Sequence, residues 1–329
     1  MTETLLVTVV VPFRNAEADL PASLDRLARL VGPVEIVLVD DASTDEGGGL
    51  VEEFCAREPR ARRIRRDGPG GSTIARMDGV SAARGDYIWF CDIDDDWDDD
   101  IVATMFAQAK ATDADLVACR AERVESDGRR WRMEGVARAR TVHGRDIAAL
   151  VVRGTLRGHL WNKLIRRGMI PPLSRTPLTS QDDFLMLLDI IDRARRVRLI
   201  PDMKYRYLER SGSISTGSAM QLDNVALCCD EAIHRLGSGT SADDAFRIWF
   251  HLVPAIATPV HRRWPADRAR HRALARRLSA AGILRLALWQ PSVAVHAAVI
   301  RLAGSRYPTV YRLARRVTAP RRRAVAVPS

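Results

Sequence analysis

The sequence predicts an α/β protein: a mixed, mostly parallel sheet sandwiched by helices, with an α-helical C-terminal extension. Three observations carry that expectation. Two β-branched runs, Leu5 to Val11 and Val34 to Val39, are separated by a segment with helical apolar spacing at Leu20, Leu24, Leu27 and Leu30. A third apolar run ends at Cys91 in a cluster of carboxylates, and strand-helix-strand order implies right-handed parallel crossovers with ligands gathered at the carboxyl ends of the strands. From Met220 onward no strand pattern recurs and helical spacing takes over.

Length and charge divide the chain. At 329 residues it is long for one domain, so a catalytic domain is expected over 1–218 and a basic helical region over 219–329. The net charge of +10 is unevenly distributed: residues 262–329 hold sixteen Arg and one acid, while 1–261 carry 35 basic and 40 acidic groups. Five cysteines without a Cys-x-x-Cys pair, and no secretory leader before Leu5, predict reduced thiols in a cytoplasmic protein and argue against zinc or a disulfide framework.

The loop after the first strand, Pro12 to Glu17, has no glycine, which disfavours a dinucleotide-binding Rossmann domain. Glycines come later, in Asp67-Gly68-Pro69-Gly70-Gly71-Ser72, without the Lys of a P-loop. That stretch reads either as a plain turn or as a loop near a nucleotide, with Arg76 paired to a diphosphate. Trp89 to Phe90 then leads into Cys91-Asp92-Ile93-Asp94-Asp95-Asp96. Packed carboxylates repel unless neutralised, and a hard cation such as Mg²⁺ or Mn²⁺ takes one or two of them plus phosphate oxygens, so Asp92 and Asp94 are the candidate metal ligands. An EF-hand is excluded because Trp97 and Ala103 stand where its Gly and Glu belong. Asp98 to Asp100 suit the N-terminus of a helix from Ile101 to Lys110.

Further strands are expected at Leu116 to Cys119, Arg130 to Val136, Arg198 to Pro201 and Lys204 to Leu208, with a short helix from Gly144 to Arg153. Thr179 to Asp183 opens an apolar helix reaching about Ile191, and spacing alone favours Asp182 and Asp183 as helix-capping acids over site residues. Beyond Met220, helices are expected at Gln221 to Leu236, Ala242 to Leu252, Arg268 to Ala281 and Ile283 to Leu302, the last kinked near Pro291. Arg285, Gln290, Pro291 and His296 interrupt that apolar stretch, so an interfacial amphipathic helix is favoured over a membrane span.

Taken together, Val9 to Asn15, Val39 to Asp45, Arg76 with Gly79, Ala83 to Ile88, Asp92 to Asp95, Trp161 to Leu164 and Gln181-Asp182 form an ordered series. It resembles that of the family 2 glycosyltransferases of GT-A (nucleotide-diphospho-sugar transferase-like) fold, over about residues 5–216. The resemblance implies that Pro12, Phe13 and Asn15 border a nucleobase bonded by Asp41, that Asp92 contacts the ribose side, and that Asp94 holds the metal on the diphosphate. It assigns the catalytic base to Asp182, with Gln181 where the family has Glu; read as the acidic pair, Asp182-Asp183 would instead make Asp183 the base. Trp161 and Lys163 fall on the acceptor side, or else Trp161 is a core residue beside a snorkelling Lys163, and Arg210 and Ser213 belong to a loop that closes over the donor. The implied reaction is metal-dependent and inverting, from a UDP-sugar or similar donor to an acceptor hydroxyl of a glycan, polyol, wall polymer or lipid-linked saccharide.

Two other classes compete. A sugar nucleotidyltransferase would need a Gly-rich basic loop after the first strand, which Phe13 to Glu17 does not supply. A membrane-associated binding protein with a degenerate nucleotide site would act through its tail, whose Arg residues stand beside Leu, Ile, Val and Trp289. The tail suits the inner face of an anionic plasma membrane, or else docking on the acidic domain or a homo-oligomer. Nucleic acid is not expected, since no recognised module interleaves basic and exposed aromatic residues.

Overall fold

The computed structural model describes residues 7–173, 177, 178, 180–209, 222–252, 272–288, 290–307, 309–311 and 313. The chain divides into a first unit, Met1–Asn224, and a second, Val225–Ser329. The boundary expected at 218/219 lies outside the described residues.

The first unit is built on a ten-stranded mixed sheet. β1 (Val7–Phe13) pairs in parallel with β2 (Val34–Asp40) on one side and with β4 (Tyr87–Phe90) on the other, and β3 (Ala61–Arg65) extends the parallel half beyond β2. β9 (Lys163–Arg166) is antiparallel to both β4 and β6 (Leu116–Val124), and so turns the sheet from one half to the next. β10 (Arg196–Leu208) runs parallel to β6, with β5 (Asp96–Trp97) antiparallel at its far side. β7 (Arg130–Glu134) pairs β6 and β8 (Arg140–His143) pairs β10.

The central strands read as continuous apolar runs because helices cover both faces. Every residue of β2 is buried, and in β1 only Pro12 is not. α1 (Leu20–Ala28) starts with Pro21 in its first turn, where a missing N–H costs nothing, and buries Leu20, Leu24 and Leu27. α2 (Gly47–Arg57) and α4 (Ile101–Thr112) follow β2 and β5. α3 (Ser72–Ala82) lies directly on β1: a Cβ on Gly79 would come within 2.4 Å of Val10 Cγ1. α5 (Asp146–Val152) follows β8 and α6 (Asp182–Ile191) precedes β10, and α6 is buried along most of its length, as its nearly unbroken apolar sequence requires.

Several boundaries differ from expectation. The two short strands foreseen at 198–208 are one strand, β10, whose register against β6 shifts between Leu199, Met203 and Tyr205 at Pro201, a residue with no N–H to give a ladder. β3 and β8 are not foreseen because Ala61 to Arg65 is arginine-rich and hides the period of two, and Arg140 to His143, at four residues, is too short to show one. Asp98 and Asp100 do not cap α4 with their side chains. They hold β10 instead, Asp100 through Lys204 at 2.7 Å and Asp98 through Arg206 at 2.7 Å.

In the second unit α7 (Leu222–Leu236), which begins just before the division, leads to α8 (Ser241–Phe246), and α8 continues as a π-helical turn, Arg247–Leu252. The single kinked helix expected over 283–302 is two helices, Ala280–Ala287 and Pro291–Ala303, with Pro291 opening the second. Ser279 caps the first by accepting from the Gly282 N–H. Leu274, Leu278, Leu286, Val293, Ala297, Ile300 and Tyr307 form its core.

Candidate functional site

The loops after β1 and β2 are laced together. Asn15, in the left-handed region at φ 49°, donates its N–H to Ser43 Oγ, and its Oδ1 accepts from the Thr44 N–H at 2.8 Å. Glu17 and Asp45 extend the lacing, the Glu17 N–H donating to Asp45 Oδ2 at 2.9 Å. Phe13, expected beside a nucleobase, is 4% exposed and packs in the core, while Pro12 is half-buried. Asn15 therefore shapes the loop with its side chain, and Phe13 supports it from below.

Asp41 closes the glycine-rich loop. One carboxylate oxygen accepts from the Gly70 N–H at 2.8 Å and from Arg66 Nη1 at 2.6 Å, and the other from the Gly71 N–H at 2.8 Å. Gly71 sits at φ +86°, a conformation that costs a side-chain-bearing residue. Burial works against the Asp41 charge, yet these three donors hold its pKa below the ordinary value. The 67–72 stretch is thus a loop tied to the end of β2, and Arg66, which sequence reasoning passed over, is its anchor.

Arg76 makes a long-range link across the site. It is 4% exposed, it lies over the Phe90 ring, and its two terminal nitrogens reach different carboxylates: Nη2 to Asp92 Oδ1 at 2.8 Å and Nη1 to Asp183 Oδ1 at 2.5 Å. The end of β4 is thereby joined to the first turn of α6. The expected pairing of Arg76 with a diphosphate meets a guanidinium already committed to two acids.

Helix α1 steadies the acidic loop. Ser23 Oγ donates to the Ile93 carbonyl, and Arg26 pairs with Asp96 at 3.1 Å while covering the Trp97 ring. Asp92 and Asp94 are partly exposed, whereas Asp95 is 1% exposed and accepts from the Tyr205 hydroxyl at 2.8 Å and the Leu208 N–H at 2.9 Å. Burial, then Asp92 and Asp94, push Asp95 up to about 8. Among the described residues no group of three His, Cys, Asp or Glu side chains is arranged to hold a metal. Two carboxylates with substrate oxygens suffice for Mg²⁺ or Mn²⁺, and the crowded charge behind Asp95 is what such a cation would relieve, so Asp92 and Asp94 fit the group.

The two acids of α6 are differently disposed. Asp182 is 5% exposed and its Oδ1 accepts from the Leu178 N–H at 3.2 Å, which draws the incoming chain onto the helix start. The Asp183 side chain is 31% exposed and reaches toward Arg76. Desolvation raises the Asp183 pKa, Arg76 opposes the rise, and Asp92 and Asp182 reinforce it.

Lys163 does not snorkel to the surface. It is fully buried, and its ammonium donates to Glu134 at 3.0 and 3.2 Å and to Asn162 Oδ1 at 2.7 Å. Asn162 in turn donates to the Cys119 carbonyl at 2.9 Å. Trp161, 4% exposed, is stacked on Tyr205 at 4.3 Å and on His159 at 4.7 Å. Glu134 carried no sequence signal, because it ends a strand of exposed arginines. Arg210 and Ser213, expected in a closing loop, lie outside the described residues, as does Trp289.

Residues 8–170 match the family model described as glycosyl transferase family 2. The glycosyltransferase GlyG of Streptococcus pneumoniae is 34% identical over 113 residues, 34% of this chain and 38% of that protein. The uncharacterized glycosyltransferase EpsJ of Bacillus subtilis is 27% identical over 217 residues, 64% of this chain and 63% of that one. The succinoglycan biosynthesis protein ExoO of Rhizobium meliloti is 29% identical over 308 residues, 88% and 82% of the two chains. The chain thus spans less than two thirds of the length of GlyG and of EpsJ. Among solved structures, S. aureus TarS 1–349 in complex with UDP-GlcNAc matches with a TM-score of 0.66 and 18% identity, covering 95% of this chain and 92% of that one. At that identity the likeness is one of fold, and it bears out the expected GT-A architecture. Asp182 and Asp183 fall beyond the family match.

Proposed function

The chain belongs to glycosyl transferase family 2, and from that premise we propose that it moves a sugar from a nucleotide-diphosphate donor, a UDP-sugar, to an acceptor hydroxyl with inversion at the anomeric carbon. The acceptor class is a glycan, polyol, wall polymer or lipid-linked saccharide, met at the inner face of the plasma membrane. The UDP-GlcNAc and UDP complexes of TarS favour uridine, and the role of ExoO in succinoglycan biosynthesis favours a polysaccharide product.

The observation that supports the reading most is the joining of Asp92 to Asp183 through Arg76, at the strand ends where such folds take their ligands. The loop held by Asp41 forms the nucleotide side. Mg²⁺ or Mn²⁺, held by Asp94 and Asp92, would supply positive charge to the leaving diphosphate. Asp183 accepts the proton of the attacking hydroxyl: it is partly exposed, and its raised pKa moves it toward the range a general base needs. Asp182 is the structural member of the pair, since it is buried and accepts a backbone N–H of the incoming chain.

A thermal-shift panel of nucleoside diphosphates with and without Mn²⁺ tests the donor class. The largest rise is expected for UDP with Mn²⁺. A flat response to every nucleotide, with the fold intact, would overturn the assignment.

A further inference from the structure

Two helices of the second unit carry large aliphatic side chains where an ordinary surface helix carries polar ones. In Pro291–Ala303 the buried face is Val293, Ala294, Ala297 and Ile300. At 100° per residue, Val295 and Leu302 point almost directly away from it, and they are 63% and 86% exposed. In Ala280–Ala287 the buried residue is Leu286, and Leu284 lies on the opposite side at 70% exposure, as does Leu288 just past the helix end at 87%. Farther on, Val310 and Leu313 are 42% and 63% exposed. A helix apolar on its outer face as well as its inner one has its outer face covered by something.

The charge of the same segment says what. Arg285, Arg301 and Arg306 are its exposed cations among the described residues, and no Asp or Glu occurs anywhere from Arg268 to Ser329. Pairing this face with itself across a two-fold axis would set arginine against arginine with no acid to offset it, which disfavours a second copy as the occupant. The surface needs a cover that is both apolar and anionic, and a bilayer with acidic headgroups is both. No helix among the described residues is long and apolar enough to cross a membrane, so the contact is one of lying on the surface.

We propose that the outward face of helices Ala280–Ala287 and Pro291–Ala303 is a membrane-contact surface, with Leu284, Leu288, Val295 and Leu302 entering the headgroup boundary and Arg285 and Arg306 pairing with acidic lipid headgroups, while Arg301 is turned inward to the Leu278 carbonyl. It gives the peripheral location proposed above a specific surface, and it is independent of the transferase chemistry.

The test is co-sedimentation of the full chain with vesicles of neutral lipid and with vesicles containing an anionic lipid, run beside the double variants Leu288→Ser/Leu302→Ser and Arg285→Gln/Arg306→Gln. All four positions are exposed, so both variants should fold, and UDP-dependent thermal shift on the same samples checks the catalytic unit separately. Binding is expected only to anionic vesicles. The leucine pair should weaken it at least ~10-fold, from the apolar area withdrawn, and the arginine pair by a similar factor together with a loss of salt sensitivity. Equal binding to neutral and anionic vesicles, binding unchanged in the leucine variant, or a dimer in solution that the leucine variant dissolves would each overturn the proposal. Loss of the UDP response with vesicle binding intact would count against the transferase reading alone.

Discussion

Asp92 and Asp183 share one guanidinium, Arg76 giving Nη2 to the first and Nη1 to the second. One side chain fixed on α3 thus ties the loop after β4 to the first turn of α6. Asp183→Asn is expected to lower kcat by ~10²–10⁴-fold with nucleotide affinity little changed. Asp182→Asn, which keeps an oxygen for the Leu178 N–H, should cost far less. Initial rates with a UDP-sugar donor decide between them, and the reverse order would move the base to Asp182.

Asp41→Ala removes the acceptor for Gly70, Gly71 and Arg66 together. Each buried donor left unmade costs about 1–3 kcal/mol, so the loop should loosen and UDP affinity fall by at least tenfold. Calorimetric titration with UDP reads the affinity. Limited proteolysis near residue 68 reads the loop.

Lys163→Met leaves Glu134 buried without its cation and should destabilise the first unit by about 3–5 kcal/mol. Adding Glu134→Gln is expected to restore part of the loss, because the stranded charge is gone. Urea denaturation of the two variants gives the difference directly, and an additive double variant would show that the pair is not coupled.

The pH dependence expected from Asp95 has a definite sign. Its pKa is raised by burial first and then by Asp92 and Asp94, so the folded protein holds a proton that the unfolded chain has released. The contribution of Asp95 to stability is therefore fully present below the ordinary aspartate value and is lost as pH rises toward about 8. Asp95→Asn keeps an oxygen for the Leu208 N–H, and in metal-free buffer it should flatten that slope and melt higher than the parent at pH 8. Melting curves from pH 5 to 9 check both.

By itself the sequence determined the three central parallel strands, β1, β2 and β4, and the identity of the acids. Runs such as Val7 to Val11 must be buried on both faces, and Asp41, Asp92 and Asp94 close such runs where a crossover leaves the strand ends open. Tertiary structure alone decided how those acids are used. That Arg66 serves Asp41, that Arg76 spans to Asp183, that Lys163 is met by Glu134, and that leucines face outward on the last helices all depend on contacts between residues far apart in the chain. A sequence pattern reports which face of an element is apolar but not which charge stands across from it, because an ion pair needs only proximity, and proximity is fixed by how the elements pack.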